Sequence, residues 1–214
     1  TMEQWGFVKH GYKKSNGELV LVKDMRHYNI KESPKFNYPI LKPEKNHFFL
    51  PIYPQYHTDL FPDNILKSED MRLYEDKLAH RYAIEKIYLT GAFDIRAKPG
   101  DVILIYRVGE GLYKNYSSVV TGMAIVQEVV ETKNVEECIG ICKDKSIFRE
   151  EDIRKVYSKY PVVLKLLDYK PFTHKVTLSE LRNNNIIDKH SGPRPFNYVT
   201  KEEFEIIYKL GMEE

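Results

Sequence analysis

Two apolar segments separated by a loop constrain the fold of this 214-residue chain most strongly. Residues 98–101, Lys-Pro-Gly-Asp, predict a tight turn, because proline and glycine stand at favoured turn positions. A nearly continuous apolar run follows at 102–106, and a long β-branched run covers 116–130. Such runs are typical of strands that are covered on both faces. We therefore predict two consecutive antiparallel strands, with Gly122 at a bulge or bend in the second.

Shorter signals predict the elements that follow. Residues 135–142 and 150–157 favour short helices, residues 160–169 a further strand, and residues 178–181 a helical turn. The sequence Thr-Lys-Glu-Glu at 200–203 is a capping box, which predicts the start of a C-terminal helix.

The N-terminal third has a different composition. Ser-Asn-Gly at 15–17 predicts a hairpin turn between two β-rich segments, and an isolated hairpin must pack on something to be stable. Six prolines within 29–64 exclude long helices there, so we predict one strand at 46–53 and an aromatic, polar loop at 54–62.

The boundaries of the extension follow from the next segment. Residues 65–89 carry a helical pattern, although residues 83–89 could instead enter a strand. The predicted division is therefore a hairpin at 1–28, a proline- and aromatic-rich extension with a helix at 29–83, and a domain at 84–214.

The charge balance limits how the chain could bind a polyanion. Thirty-three basic residues oppose 31 acidic ones, so the formal net charge is only +2. This excludes a polybasic arm and a positive field over the whole protein, and nucleic-acid binding would need a local patch and a pocket. The 16 tyrosines suit such a pocket, but they suit core edges equally well.

Cysteine use and hydropathy indicate the compartment. Cys138 and Cys142 are four residues apart, on one face of a predicted helix, and too few ligands surround them for a zinc site. We expect buried free thiols, a reducing cytoplasm, and no cofactor or metal. No apolar run approaches the length of a membrane span, so we expect no membrane partner.

These segments carry a family resemblance. Residues 98–106, followed by 120–129, resemble the core of domains of the PUA-like superfamily, to which the EVE, YTH and ASCH groups belong. Residues 192–196 and 198–204 are similar to the arginine turn and the helix that close such domains. The resemblance covers roughly 46–214 and extends to prokaryotic PUA-like domains joined to GNAT-type acetyltransferases.

The resemblance implies an α+β fold, a small PUA-like β-barrel with flanking helices, here preceded by the N-terminal β-hairpin and the proline-rich extension. It also implies a base or nucleotide held in a cleft between the sheet and its loops. We therefore expect a module without catalytic activity of its own that binds nucleic acid, RNA or DNA, or a modified nucleotide.

Two alternatives stay open. The hairpin resembles the last two strands of a GNAT fold, so the chain could be the regulatory or substrate-recruiting part of an acetyltransferase present in cis, although no acetyl-CoA cradle stands in this sequence. Alternatively, an ASCH-like enzyme would act on a nucleoside derivative. The nearest match to the Lys/Glu/Arg cluster of such enzymes is Lys86, Glu85 and Arg81, with a spacing that departs from the expected one.

Three segments are expected to wall the cleft: the end of the 102–106 strand with the loop after it, the aromatic 53–59 segment, and the proline-flanked turn at 194. The expected binding residues are Tyr53, Tyr56, His57, Asp59, Tyr106, Arg107, Tyr116, Ser117, Ser118 and Arg194. A metal site at His57 and Asp59 would need a further ligand such as His80. No carboxylate pair or nucleophile motif indicates a catalytic residue.

Overall fold

A computed structural model describes residues 1–40, 46–64, 79–91, 95–109, 111, 114–143 and 145–213. The predicted helix therefore falls largely outside the described residues, at 65–78. Within the described part, helices and strands mix as predicted, and a large sheet carries helices on both faces.

The strands are β1 (Val8–Tyr12), β2 (Leu19–Val22), β3 (His47–Ile52), β4 (Glu85–Thr90), β5 (Val102–Arg107), β6 (Val119–Glu131), β7 (Val162–Thr177) and β8 (Tyr198–Val199). The α-helices are α1 (Pro34–Asn37), α2 (Pro54–Leu60), α3 (Ala79–Tyr82), α4 (Lys114–Ser117), α5 (Val135–Cys142), α6 (Glu150–Val156), α7 (Leu178–Asn183) and α8 (Lys201–Met212). Among the described residues, two 3₁₀ helices cover Glu3–Trp5 and Pro62–Asn64.

Six of the described strands form one sheet in the order β4-β7-β6-β5-β3-β8. β5 and β6 are consecutive and antiparallel as predicted, whereas β3 and β5 run parallel. Pro51 is tolerated in β3 because β8 pairs only with His47 and Phe48 and leaves that part of the edge open. No described residues pair β4 with β8, so the predicted closure into a barrel is not confirmed.

Local irregularities of β6 and β7 shape the middle of the sheet. The register shifts between Val120 and Gly122, which confirms the predicted bulge. A side chain at Gly122 would put its Cβ 2.4 Å from the carbonyl oxygen of Lys170, so this close approach requires glycine. The bulge turns Thr121, the residue between them, toward the α2 side of the sheet, where it contacts His57.

The core has one cluster on each face of the sheet. On one face, β3 and β5 pack with α2 and Phe61; on the other, they pack with Leu181 of α7 and Phe204 of α8. A third cluster joins β4 and β7 to α5 and α6, and it contains both cysteines as buried free thiols. Capping boxes at Thr177 and Thr200 begin α7 and α8, the second as predicted.

The predicted loop at 54–62 is wrong. Residues 54–60 form helix α2, with Tyr53 as its N-cap and Pro54 in the first turn. Proline is favoured there because the first amide of a helix has no acceptor within the helix, so the proline begins this helix instead of preventing it.

The predicted hairpin forms as β1 and β2 and is tied to the rest of the chain at its base. Lys23 donates to the carbonyl oxygens of Trp5 and Phe36, the latter in α1. The Trp5 ring packs edge-on against Tyr38, with centroids 5.5 Å apart. The hairpin base therefore contacts the segment that carries Tyr38.

Candidate functional site

The ends of two strands bring the 53–59 segment and the end of β5 to one edge of the sheet. Because β3 and β5 are parallel, Ile52 pairs with Arg107. The Val108 amide also donates to the Ile52 carbonyl oxygen at 2.9 Å. Since α2 begins at Pro54, directly after β3, two of the three predicted walls lie together.

Tyr106 and Arg107, however, point to opposite faces of the sheet, as neighbours on a strand do. Tyr106 is buried on the α7 and α8 side, where its hydroxyl hydrogen-bonds with Ser118 and where burial raises its pKa. Ser118 is buried and its Oγ accepts from the Gly109 amide at 2.8 Å. On the other face, Arg107 Nη1 lies 3.5 Å from the carbonyl oxygen of Ser117. These predicted residues do not converge on one cleft.

His57 lies buried in a polar network on the α2 side. Its Nε2 is 2.8 Å from Oγ1 of Thr121, and that hydroxyl donates to the carbonyl oxygen of Ile105 at 3.3 Å. A hydroxyl that already donates must accept from the ring, so Nε2 carries the proton. Burial, together with the charges of Arg107 and Lys175, lowers the pKa of His57 to about 3. The imidazole is therefore neutral near pH 7 and acts as a structural donor.

The same network reaches β7 through Tyr169. The Tyr169 hydroxyl donates to Thr121 Oγ1 at 3.2 Å, and Asn64 Nδ2 contacts both that hydroxyl and, at 2.9 Å, the Thr121 carbonyl oxygen. Lys175 in turn donates to Asn64 Oδ1, and burial lowers the pKa of this lysine. The Tyr169 ring packs on Phe61 with centroids 4.2 Å apart. The network therefore fixes the position of Tyr169.

Tyr169 also forms one wall of a pocket of about 250 Å³ between α3 and β7. Aromatic rings and charged groups dominate its lining. The lining residues are Tyr38, Phe61, Pro62, Arg81, Tyr82, Ala83, Ile84, Lys86, Asp168 and Tyr169. Flat rings combined with a few polar groups suit a planar, hydrogen-bonding ligand.

Protein groups hold the two cations of this pocket. Arg81 Nη1 and His80 Nε2 each lie 3.2 Å from Oδ1 of Asp59. Burial alone would raise the pKa of Asp59, but the contacts with His80 and Arg81 outweigh it, and the pKa is lowered. Lys86 Nζ donates to the carbonyl oxygens of His80 and Arg81 at 2.9 and 2.7 Å. The predicted site residue Asp59 therefore positions Arg81 at the pocket wall.

The other predicted residues lie outside the pocket lining. Tyr53 is exposed at the N-cap of α2, and the ring of Tyr56 lies beside Phe148 with centroids 5.4 Å apart. Tyr116 is exposed in α4, and Arg194 is exposed in the turn before β8. The structure thus unites His57, Asp59 and Arg107 around α2 and separates the rest.

The residues matched to the Lys/Glu/Arg cluster of ASCH-like enzymes do not converge either. Lys86 and Arg81 line the pocket, whereas Glu85 forms ion pairs with Lys35 at 3.0 Å and Lys145 at 2.9 Å. Burial raises the pKa of Glu85, but the two lysines outweigh it and lower the pKa overall. Neighbouring residues on β4 point to opposite faces, which explains the separation.

Sequence reasoning missed the residues that build this site. They are Tyr38, Asn64, Tyr82, Thr121, Asp168, Tyr169 and Lys175. Two weak signals existed: Thr121 precedes the predicted bulge at Gly122, and the pair Asp168-Tyr169 interrupts an apolar strand.

No group of three or more His, Cys, Asp or Glu side chains within the described residues could hold a metal ion. None of the helices built from these residues has the length and apolar character needed to cross a bilayer.

Comparison with known proteins identifies the fold. No family model and no curated protein matches the sequence. Among solved structures, the ASCH protein of Zymomonas mobilis is similar at 14% identity and a TM-score of 0.50, over 80% of this chain and 99% of that one. A tyrosine-to-phenylalanine mutant of that protein gives a TM-score of 0.51 at 14% identity, over 77% of this chain and 97% of that one. The chain therefore has a fold similar to that of the ASCH protein of Zymomonas mobilis.

Proposed function

We propose that this chain is a nucleic-acid-binding module that holds one unpaired base, of RNA, DNA or a nucleotide, in the pocket between α3 and β7. The observation that carries the proposal is the lining: four aromatic rings, among them the exposed Tyr82, together with Arg81, Lys86 and Asp168. A base stacked on an aromatic side chain contributes about 1–3 kcal/mol, and polar groups can read its pairing edge.

The charge balance supports binding in a pocket rather than binding over a broad positive surface. The net charge of +2 gives no long-range attraction for phosphates, so affinity must come from local contacts. The buried histidine also favours binding over catalysis. Since its pKa is lowered to about 3, the His57 imidazole is neutral near pH 7 and is a weak general base. We therefore propose a binding role without chemistry.

The single tryptophan offers a direct assay. Trp5 packs on Tyr38, a wall of the pocket, so its fluorescence should report on ligand entry. Titration with single-stranded RNA, single-stranded DNA, duplexes and nucleotides should show saturable binding to unpaired forms. Failure of all of these ligands at concentrations well above ~10⁻⁴ M, at every salt concentration, would refute the proposal.

A matched set of variants ties the binding to the pocket. Tyr82→Ala removes an exposed ring of the lining, and we expect it to weaken binding by about 5- to 150-fold, the equivalent of ~1–3 kcal/mol. Tyr82→Phe keeps the ring and should stay within about threefold of the parent, since stacking needs only the π-face. Tyr12→Ala, an exposed tyrosine of the hairpin, is the control.

A second candidate function is that of an ASCH-like enzyme acting on a nucleoside derivative, for which hydrolysis of an acylated nucleoside is the reaction to test. Although Glu85 lies elsewhere, Lys86 and Asp168 line the same pocket, so a lysine and a carboxylate do share it. Incubation with N-acyl nucleosides and chromatography of the products tests this function. Release of the free nucleoside, abolished by Lys86→Met, would favour the enzyme over the binding module.

A third candidate is the recruiting part of a GNAT-type acetyltransferase. The hairpin exposes Val8, Tyr12 and Leu19, each more than half exposed, and an extended sheet would cover them. Codons for an acetyl-CoA cradle upstream of Met2 would support this candidate, and a genuine start codon there would count against it. The buried free thiols fit a cytoplasmic location for each candidate.

A further inference from the structure

Asp168 lies where β7 departs from regular pairing. Leu167 pairs with Ile125 and Lys170 with Met123, so two residues of β7, Asp168 and Tyr169, face one residue of β6. Asp168 itself has a φ of 54°, in the left-handed region that few residues with a Cβ adopt. Bulges of this kind redirect side chains and are frequent beside functional sites. Here the bulge places both Asp168 and Tyr169 on the pocket wall.

The carboxylate of Asp168, a residue of the pocket lining, has one oxygen that accepts no hydrogen bond from the described residues. Its side chain is 11% exposed, and Lys170 Nζ lies 3.4 Å from its Oδ2. Across the described residues, no donor forms a hydrogen bond with the buried Oδ2. Tyr38 lines the same pocket, and the Asp168 charge contributes, after burial, to the raised pKa of Tyr38.

The other charged groups of the pocket are held more firmly than Asp168, whose described ion pair is with the half-exposed Lys170. Arg81 is bound to Asp59, and Lys86 is bound to two main-chain carbonyl oxygens. The pocket therefore presents an acceptor with spare capacity beside cations that the protein already engages. An ionised carboxylate accepts hydrogen bonds and donates none, so it favours a ligand edge that carries donors.

We propose that Asp168 makes the pocket selective for a base that bears an exocyclic amino group, cytosine, adenine or guanine, over uracil and thymine. The inference rests on the proposed function. An amino group donates to the carboxylate. Uracil instead presents its single N–H between two carbonyl oxygens, and these oxygens repel the carboxylate. A buried acceptor left without a donor makes the wrong base costly, and this is the basis of the discrimination.

The test uses an oligouridylate of fixed length with one central cytosine, adenine or uracil, followed by Trp5 fluorescence and by anisotropy of a labelled strand. We expect the wild-type protein to prefer the cytosine- or adenine-containing strand by about 5- to 150-fold, the equivalent of ~1–3 kcal/mol. Asp168→Asn keeps the shape, tolerates positive φ and adds a donor. The affinities of this variant for the cytosine-, adenine- and uracil-containing strands should differ by no more than about twofold, because its affinity for uracil rises.

Two further measurements separate the possible failures. Asp168→Gly removes the side chain and relieves the backbone, so it should also abolish the preference, and thermal unfolding shows whether each variant folds. If no strand binds the wild-type protein, the proposed function is wrong. If all strands bind equally, or if Asp168→Asn keeps the preference, the role of Asp168 is wrong while the binding function stands.

Discussion

The buried histidine should make the stability of the fold depend on pH. Burial is the main cause of the lowered pKa of His57, with the charges of Arg107 and Lys175 adding to it. The folded state therefore favours the neutral imidazole. In the unfolded chain the imidazole titrates at its ordinary pKa of about 6.5, so acid favours unfolding.

The magnitude follows from the two pKa values. Above pH 6.5 both states hold a neutral ring, and the contribution of His57 to stability is fully present. As the pH falls from 6.5 toward 3, only the unfolded chain takes up the proton. pH 5 lies about 1.5 pH units below the pKa of the imidazole in the unfolded chain. At that pH the uptake of the proton therefore lowers the free energy of unfolding by about 2 kcal/mol. This is a large share of the stability of a typical domain, about 5–15 kcal/mol.

Urea denaturation at pH 8, 7, 6 and 5 measures this loss. His57→Gln retains an amide donor for Thr121 and cannot titrate, so its stability should fall by about 2 kcal/mol less than that of the wild type between pH 8 and 5. His190→Gln, at an exposed position, should follow the wild type. If the free energy of unfolding changed equally with pH in the wild type and in His57→Gln, the assignment of a neutral, buried imidazole would be refuted.

Three shorter predictions concern packing, capping and thiol reactivity. Gly211→Ala would place a Cβ 2.4 Å from the buried ring of Phe172 and should cost about 1–2 kcal/mol in urea denaturation, whereas Gly140→Ala meets nothing within 4 Å and should gain up to about 1 kcal/mol. Thr200→Ala removes the capping box of α8 and should cost about 1 kcal/mol; no loss would mean that the cap contributes nothing. Burial raises the pKa of Cys142 to about 12, so a thiol reagent at pH 8 should react slowly with the native protein. In denaturant, the same reagent should react rapidly with both thiols of the chain.

Sequence reasoning succeeded where the signal was local. The turn at 98–101, the apolar runs of β5 and β6, and the capping box at Thr200 each depend on neighbouring residues, and each was predicted correctly. The segment at 54–60 was assigned wrongly although its signal is local, because proline was read as a helix breaker when it stands in the first helical turn.

The site escaped prediction because its parts are distant in sequence. Asn64, Thr121 and Lys175 meet only when α2 and the following 3₁₀ helix pack against the bulged middle of β6 and β7. The opposite faces of Tyr106 and Arg107, by contrast, follow from strand alternation alone and could have been foreseen. The left-handed backbone at Asp168 has no signature in the sequence.

The parallel pairing of β3 with β5 has a consequence for synthesis of the chain. β3 is synthesised early, yet its partners β5 and β8 follow about 50 and 150 residues later. β4 likewise pairs with β7, which is synthesised much later. Non-local pairing of this kind slows folding. Until residue 199 is available, the segment Phe48-Phe49-Leu50 has an incomplete sheet around it. The nascent chain therefore carries an apolar strand that is prone to aggregate until β8 pairs with its first residues.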